Sequence, residues 1–154
     1  MKRSKINLVI SILIPLFVGQ LAGLLTGNCM DSYYELTKSP LTPPSIVFPI
    51  VWTILYILMG ISSYLIYISD DKNSKNALIW YGIQLFLNFI WSIIFFCFSN
   101  YVLALICLII LIICIVIMIT KFYDISPIAA YLQLPYLLWC LFAAYLNLSI
   151  ILLN

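Results

Sequence analysis

At 154 residues, 66% hydrophobic and 8% charged, with a mean hydropathy of +1.19, the chain cannot cover a water-facing surface, because soluble domains carry about a quarter charged residues. The excess apolar surface must face lipid, so the sequence reads as an integral membrane protein. A net charge of +2 without a dense basic patch excludes a nucleic-acid partner, and the lack of any histidine removes the commonest general base and metal ligand.

The five cysteines, Cys29, Cys97, Cys107, Cys114 and Cys140, have no metal-type spacing, and no metal site is predicted. Four of them lie inside apolar runs, where free cysteine behaves as a small hydrophobe. Cys107 and Cys114 fall on one helix face, as packing residues do.

In chain order, Met1-Lys-Arg-Ser-Lys5 precedes an apolar run at about 6–26. That run is too long for a signal-peptide core, and Thr26-Gly-Asn-Cys29 is a poor cleavage site. A first membrane helix is predicted, bent at Pro15. Gly19, Gly23 and Gly27 form a small-xxx-small ladder that lets another helix or a ligand approach the backbone. Residues 27–46 form a connection of unusual length for a compact bundle. Tyr33, Tyr34, Leu36 and the prolines predict an ordered lid. Pro40, Pro43 and Pro44 remove backbone donors, fix φ and push their predecessors from the α region. The same stretch then turns helical at about 46–68, with Phe48, Trp52 and Tyr56 one turn apart on one face.

The charged segment Asp70-Asp71-Lys72-Asn73-Ser74-Lys75 ends that helix. A third helix is predicted at about 77–98, with Tyr81, Gln84, Asn88, Trp91 and Phe95 in one stripe. Ser99-Asn100-Tyr101 is a minimal turn into a helix at 102–120 that reads as lipid-facing throughout. Ser126 as N-cap and Pro127 at the first helical position open the last helix, 127–152. Pro135 interrupts it, freeing a carbonyl near Tyr131, while Trp139, Ala143 and Leu146 share a face. The predicted fold is an all-α, five-transmembrane-helix bundle, one domain over 1–154, with the loop between helices one and two acting as a lid over a ligand pocket.

Each span approaches the ~20 residues needed to cross a ~30 Å hydrocarbon core, and none contains Asp, Glu, Lys or Arg. An ionised residue at mid-membrane costs roughly 2.5–3.5 kcal/mol on insertion scales, and pumps and proton relays accept that cost. A charge-driven transporter is therefore disfavoured, as is hydrolysis or group transfer, for want of an acid–base or nucleophile constellation. Lys2, Arg3, Lys5, Lys72, Lys75 and Lys121 fall on the amino-terminal side of the five spans and only Lys38 on the other. The positive-inside rule then places the N-terminus in the cytoplasm and the lid and C-terminus outside.

Trp80 reads as an interfacial anchor. Trp52, Trp91 and Trp139 sit within helices, where packing alone is the commoner role. Their company argues for more: Gln84, Asn88 and Asn147 must find partners in a dry bundle. Aromatic walls with a few amides suit a flat, apolar ligand with polar edges.

Four segments carry a resemblance. Leu36-Thr-Lys-Ser-Pro-Leu-Thr-Pro-Pro44, Val47-Phe-Pro-Ile-Val-Trp-Thr-Ile-Leu-Tyr56, Gln84-Leu-Phe-Leu-Asn-Phe-Ile-Trp91 with Phe95-Phe96, and Pro135-Tyr-Leu-Leu-Trp-Cys-Leu-Phe-Ala-Ala-Tyr-Leu-Asn147 resemble, in order and spacing, the tryptophan-rich sensory protein/translocator protein (TspO/MBR) family. The resemblance covers essentially the whole chain. It implies a multi-pass protein of the bacterial inner membrane that is a homodimer and needs no cofactor. The implied ligands are porphyrins, haem and drug-like molecules of the isoquinoline and benzodiazepine type, and in some members cholesterol. The ligand site it implies comprises Tyr33, Pro43, Pro44, Phe48, Trp52, Tyr56, Gln84, Asn88, Trp91, Trp139, Phe142, Ala143, Leu146 and Asn147. Some bacterial members promote light- and oxygen-dependent breakdown of protoporphyrin, and the two tryptophans implicated match Trp52 and Trp139, expected to face each other across the cavity. The sequence also departs from the family. The lid's usual Trp-Tyr pair reads Ser32-Tyr33, and the usual tryptophan before the double proline reads Leu41. The Tyr and Arg or Lys of the animal cholesterol segment are missing from Leu148–Asn154, so cholesterol binding is not predicted.

Overall fold

The computed structural model describes residues 4–154. Five helices are long and apolar enough to cross a membrane: α1 (Lys5–Thr26), α3 (Val47–Tyr67), α4 (Ser74–Phe96), α5 (Tyr101–Ile125) and α6 (Pro127–Leu153). A 3₁₀ turn (Gly27–Cys29) and the one-turn helix α2 (Asp31–Tyr34) follow α1. No strand occurs among the described residues. The molecule is a multi-pass membrane protein.

Local chemistry starts the helices. Ser4 Oγ accepts from the Asn7 amide at 3.1 Å, Asn100 Oδ1 from Leu103 at 3.0 Å and Ser126 Oγ from Ala129 at 3.4 Å. Each satisfies an amide that the first turn leaves unpaired. The α3–α4 and α4–α5 turns each use a residue at positive φ, Asp70 (56°) and Ser99 (50°).

The helices close a ring in the order α1, α3, α6, α5, α4, with α4 back against α1 and more sparing contact between α3 and α4. Sequential order is thus broken: α6 inserts between α3 and α5. Alternation across the membrane makes α1, α4 and α6 run parallel, so their C-terminal ends gather at the end that carries the 27–46 connection. There Cys29 and Cys97 form a disulfide across 68 residues of sequence. Cys107, Cys114 and Cys140 are buried and free. The expectation that Cys97 is an unpaired hydrophobe therefore fails. It lies at the C-cap of α4, beside the end of α1, a juxtaposition that sequence distance hides.

The stripe predicted on the third helix is its buried face, with Tyr81, Gln84, Asn88, Trp91 and Phe95 all inside. The fourth helix needs correction. It runs to Ile125, beyond the predicted end at 120, because Phe122 is fully buried and Ser126 closes the helix. Nor is it lipid-facing throughout. Ala104, Cys107, Leu108, Leu111, Cys114, Ile115, Met118 and Phe122 are buried, while Ile106, Ile109, Ile110, Ile113 and Val116 remain exposed. Both faces are equally apolar, so periodicity cannot choose between them. The third helix likewise begins at Ser74, earlier than the hydropathy suggests, since the Ser74 hydroxyl is buried against that of Ser69 at 2.7 Å. Trp80 lies half-buried against the core. α1 passes through Pro15 as one helix.

Two close approaches fix α1 on α3. A Cβ at Gly19 would collide with the Tyr56 ring, and one at Gly60 with the backbone of Ser11 and Ile12. Pro15 explains the second contact. It cannot donate to the Ser11 carbonyl four residues earlier, and that freed oxygen lies over Gly60. Gly23 and Gly27 meet no such neighbour, so only the first rung of the predicted ladder carries a helix contact.

Candidate functional site

The main cavity lies between α1, α3, α4 and α6 at the connection end, with a volume of about 410 Å³. Its walls are mostly aromatic. From α3 come Phe48, Trp52 and Tyr56, on the predicted face. Trp52 stacks on Tyr56 with centroids 5.5 Å apart and planes 26° from parallel. From α6 come Trp139, Phe142, Ala143, Leu146 and Asn147. The two tryptophans do not face one another across a gap: they touch edge to face, 6.5 Å apart at 87°. This is the arrangement that ring quadrupoles prefer, and it makes a corner in place of a sandwich. Phe48 completes the corner, 6.0 Å from Trp139. Trp139 and Phe142 also border a shallow apolar groove outside α3 and α6, with Ile54, Leu58 and Leu138.

The connection contributes Met30, Tyr33, Tyr34 and Ser45 to the cavity lining. Tyr33 rests against Phe95 and Phe96 at 5.8 and 5.4 Å, and Lys38 Nζ sits 4.6 Å above its ring. Burial, then the neighbouring Tyr34, raises the Tyr33 pKa above the ordinary phenol value. Other bonds moor the chain to α6. Thr37 donates its amide to Asn154 Oδ1 at 3.0 Å and accepts from Asn154 Nδ2 at 2.9 Å, while the Ser39 and Tyr145 hydroxyls pair at 2.7 Å. Pro43 and Pro44 are not part of the cavity wall. The Pro44 carbonyl accepts from Val47 at 2.9 Å, so the pair serves to launch α3.

The predicted amides divide. Asn147 and Trp91 line the cavity, but the Asn147 oxygen accepts from Trp91 Nε1 at 3.3 Å and its nitrogen donates to the Tyr101 carbonyl at 2.9 Å. Asn88 stands behind the wall, donating to the Tyr56 hydroxyl at 3.3 Å. Gln84 is deeper still and does not line the cavity. Three cavity hydroxyls on the helices are also committed: Thr26 to the Ala22 carbonyl at 2.8 Å, Thr53 to Pro49 at 2.7 Å and Ser92 to Asn88 at 3.3 Å.

Sequence reasoning missed the α1 wall. Leu16, Gly19, Gln20, Gly23 and Thr26 line the cavity at helical spacing, and Gln20 brings an amide there. The glycine ladder was the available signal, with Gln20 set inside it. Phe95 and Phe96 complete the α4 side. Among the described residues, no three His, Cys, Asp or Glu side chains gather as a metal site.

A bundle of five membrane helices around an aromatic cavity, with three of the four quoted segments contributing to its walls, is what the sequence resemblance implied. Residues 11–153 match the TspO/MBR family. This chain belongs to that family. The tryptophan-rich protein TspO of Archaeoglobus fulgidus is 38% identical over 150 residues, covering 97% of each chain. That of Chlorobaculum tepidum is 36% identical over 157 aligned positions, covering 100% of this chain and 99% of its own. The human translocator protein is 34% identical over 124 residues, 79% of this chain and 73% of its own. TspO/MBR membership supports a binding or translocating role in a membrane.

Proposed function

We propose that this TspO/MBR protein is a membrane receptor for tetrapyrroles, protoporphyrin and haem foremost, and for flat lipophilic molecules of similar shape. The observation that carries the reading is the corner of perpendicular indoles, Trp52 and Trp139, extended by Tyr56 inside a cavity of about 410 Å³. That volume falls in the range of about 300–1,000 Å³ usual for small-molecule sites. The corner offers a flat ring one indole face and one indole edge. With Asn147 and the Thr26, Thr53 and Ser92 hydroxyls committed to the protein, Gln20 is the amide left for a ligand's polar edge. The 27–46 connection acts as the lid, held down through Thr37 and Ser39.

The membrane is a bacterial inner membrane, with the N-terminus in the cytoplasm and the lid outside. Lys2 and Arg3, two of the basic residues behind this orientation, lie outside the described residues. Lys5, Lys72, Lys75 and Lys121 carry the same asymmetry without them. An independent observation agrees: the Cys29–Cys97 disulfide is at the lid end, and disulfides persist in oxidising compartments.

A second reading, light- and dioxygen-dependent breakdown of bound porphyrin, draws on the Trp52–Tyr56 stack. An indole oxidised there has an electron donor in van der Waals contact.

Titration of the purified protein with protoporphyrin in the dark, followed by absorbance and tryptophan quenching, tests the receptor reading. Saturable binding is expected, and its absence overturns the reading. Illumination of the complex decides the second: porphyrin loss faster than in free solution, with turnover, makes the protein an enzyme. Haem should bind within tenfold of protoporphyrin, since stacking and shape hold the ring. A larger preference would mean that Met30 or a tyrosine ligates iron.

A further inference from the structure

One helical turn further from the lid than the Tyr56–Asn88 pair, the bundle buries a second polar cluster that ligand binding in the cavity does not use. Gln84 on α4 and Gln133 on α6 are both 0% exposed, and neither the oxygen nor the nitrogen of either amide has a hydrogen-bond partner. The buried hydroxyls of Tyr81 and Tyr136 make no close hydrogen bond either, although Ser63 stands near the first and Cys140 near the second. Tyr81 lies one turn from Gln84, and Tyr136 one turn from Gln133, so each pair shares a helix face. Tyr136 meets Trp52 edge to face at 6.2 Å, Trp52 stacks on Tyr56, and Asn88, one turn from Gln84, holds the Tyr56 hydroxyl, which brings the two faces to one interior region.

The third side is α3, where the Ser63 hydroxyl lies near Tyr81 and can accept from it, but nothing there satisfies the two amides. Ser62 Oγ donates to the Ala129 carbonyl at 2.7 Å and Ser63 Oγ to the Gly60 carbonyl at 3.0 Å. Met59 and Ile66, above and below them, are apolar and fully buried. No Asp, Glu, Lys or Arg lies in this part of α3, α4 or α6. Two amides in a bundle core with every donor and acceptor idle are not a stable arrangement, because lipid offers nothing to bond. Buried polar groups that the protein leaves unpaired are the ones internal water serves.

We propose that Gln84, Gln133, Tyr81 and Tyr136 form an internal water-binding site beneath the aromatic cavity. A buried water makes about three hydrogen bonds, so the six orphaned atoms call for about two waters. The amides present donors and acceptors together, which suits water, and no charged side chain in this part of α3, α4 or α6 would balance an ion. The site is separated from the cavity by the Tyr56 ring and the Asn88 amide that holds its hydroxyl. It stands whatever molecule fills the cavity.

Radiolytic hydroxyl-radical footprinting tests the proposal, using the whole protein in lipid nanodiscs and read by mass spectrometry. Bound water generates radicals in place, so Tyr81 and Tyr136, 7% and 1% exposed, should be oxidised at least tenfold faster than the apolar Phe122 at 0%. In the Gln84→Leu/Gln133→Leu double variant, both rates should fall at least fivefold. Tyrosines as protected as Phe122 in the unaltered protein, or rates unchanged in the variant, would overturn the site. If the leucine pair does not fold, Gln84→Met with Gln133→Met replaces it. The unaltered protein's Tyr81 and Tyr136 rates decide the matter if neither variant folds.

Discussion

Gly19 and Tyr56 set the depth of the cavity between them. Tyr56 stands where it does because Gly19 has no Cβ to displace it and because Asn88 holds its hydroxyl from behind. In Gly19→Ala the ring must move, and its free direction is into the cavity. The expected result is a folded protein that binds protoporphyrin on the order of tenfold more weakly, ~1.4 kcal/mol, measured by dark titration. Gly60→Ala should behave differently, since its new methyl meets α1 backbone that cannot step aside. Overpacking of that kind costs about 1–3 kcal/mol, to be read as a lower thermal unfolding temperature in detergent. Trp52→Phe and Trp139→Phe separate binding from photochemistry. Removing an aromatic stacking partner altogether costs on the order of 1–3 kcal/mol, and phenylalanine keeps most of the face, so affinity should fall less than tenfold. Phenylalanine is much harder to oxidise than indole, so light-driven porphyrin loss should fall far more. Equal losses would favour a pure receptor; no change in either, with the fold intact, would remove these residues from the site.

At the scale of elements, the 27–46 connection, the proposed lid, is tied at its start and its middle. Its start is stapled to α4 by Cys29–Cys97, and its middle hangs from α6 through Thr37 and Ser39. Chain-entropy arithmetic gives about 4 kcal/mol for a disulfide closing a loop of this length in water. The value here should be smaller, because α1 and α4 remain helical in lipid even when separated. Cys29→Ser should therefore lower the unfolding temperature modestly and speed porphyrin release, and reductant should do the same to the unaltered protein. Identical release rates before and after reduction would show that the staple does not govern the lid. The fourth spanning helix carries a different lesson. α5 is apolar all round, so its sequence is consistent with any rotation. The small side chains Ala104, Cys107 and Cys114 on the buried face let α4 and α6 come close, and that packing selects the rotation.

For the whole molecule, orientation is the property to test. Ser74 is buried, so Asn73, exposed in the α3–α4 turn, is the better probe position. Asn73→Cys should be labelled by a membrane-impermeant maleimide only from the cytoplasmic side, and Glu35→Cys, exposed on the lid, only from outside. The inverse pattern would reverse the orientation and leave the disulfide in a reducing compartment.

The sequence alone determined the class of the molecule and its spans, because a chain 8% charged has no soluble alternative and hydrophobic length is a local property. It also located the aromatic faces of α3 and α6, since residues three and four apart on one helix need no tertiary information to be neighbours. The amides divided otherwise. Asn147 lines the cavity already satisfied, Asn88 and Gln84 lie behind it, and Gln20 on α1 takes the exposed place. Nothing local distinguishes these four, as each is one amide on an apolar helix. What decided their roles was the ring order, with α6 inserted between α3 and α5 and α1 closed against α3 and α4. That order also brought Cys29 to Cys97. Helix order and rotation depend on which faces pack most closely, through Gly19, Gly60 and the carbonyl freed by Pro15, and packing of that kind is a property of pairs of helices that neither sequence carries by itself.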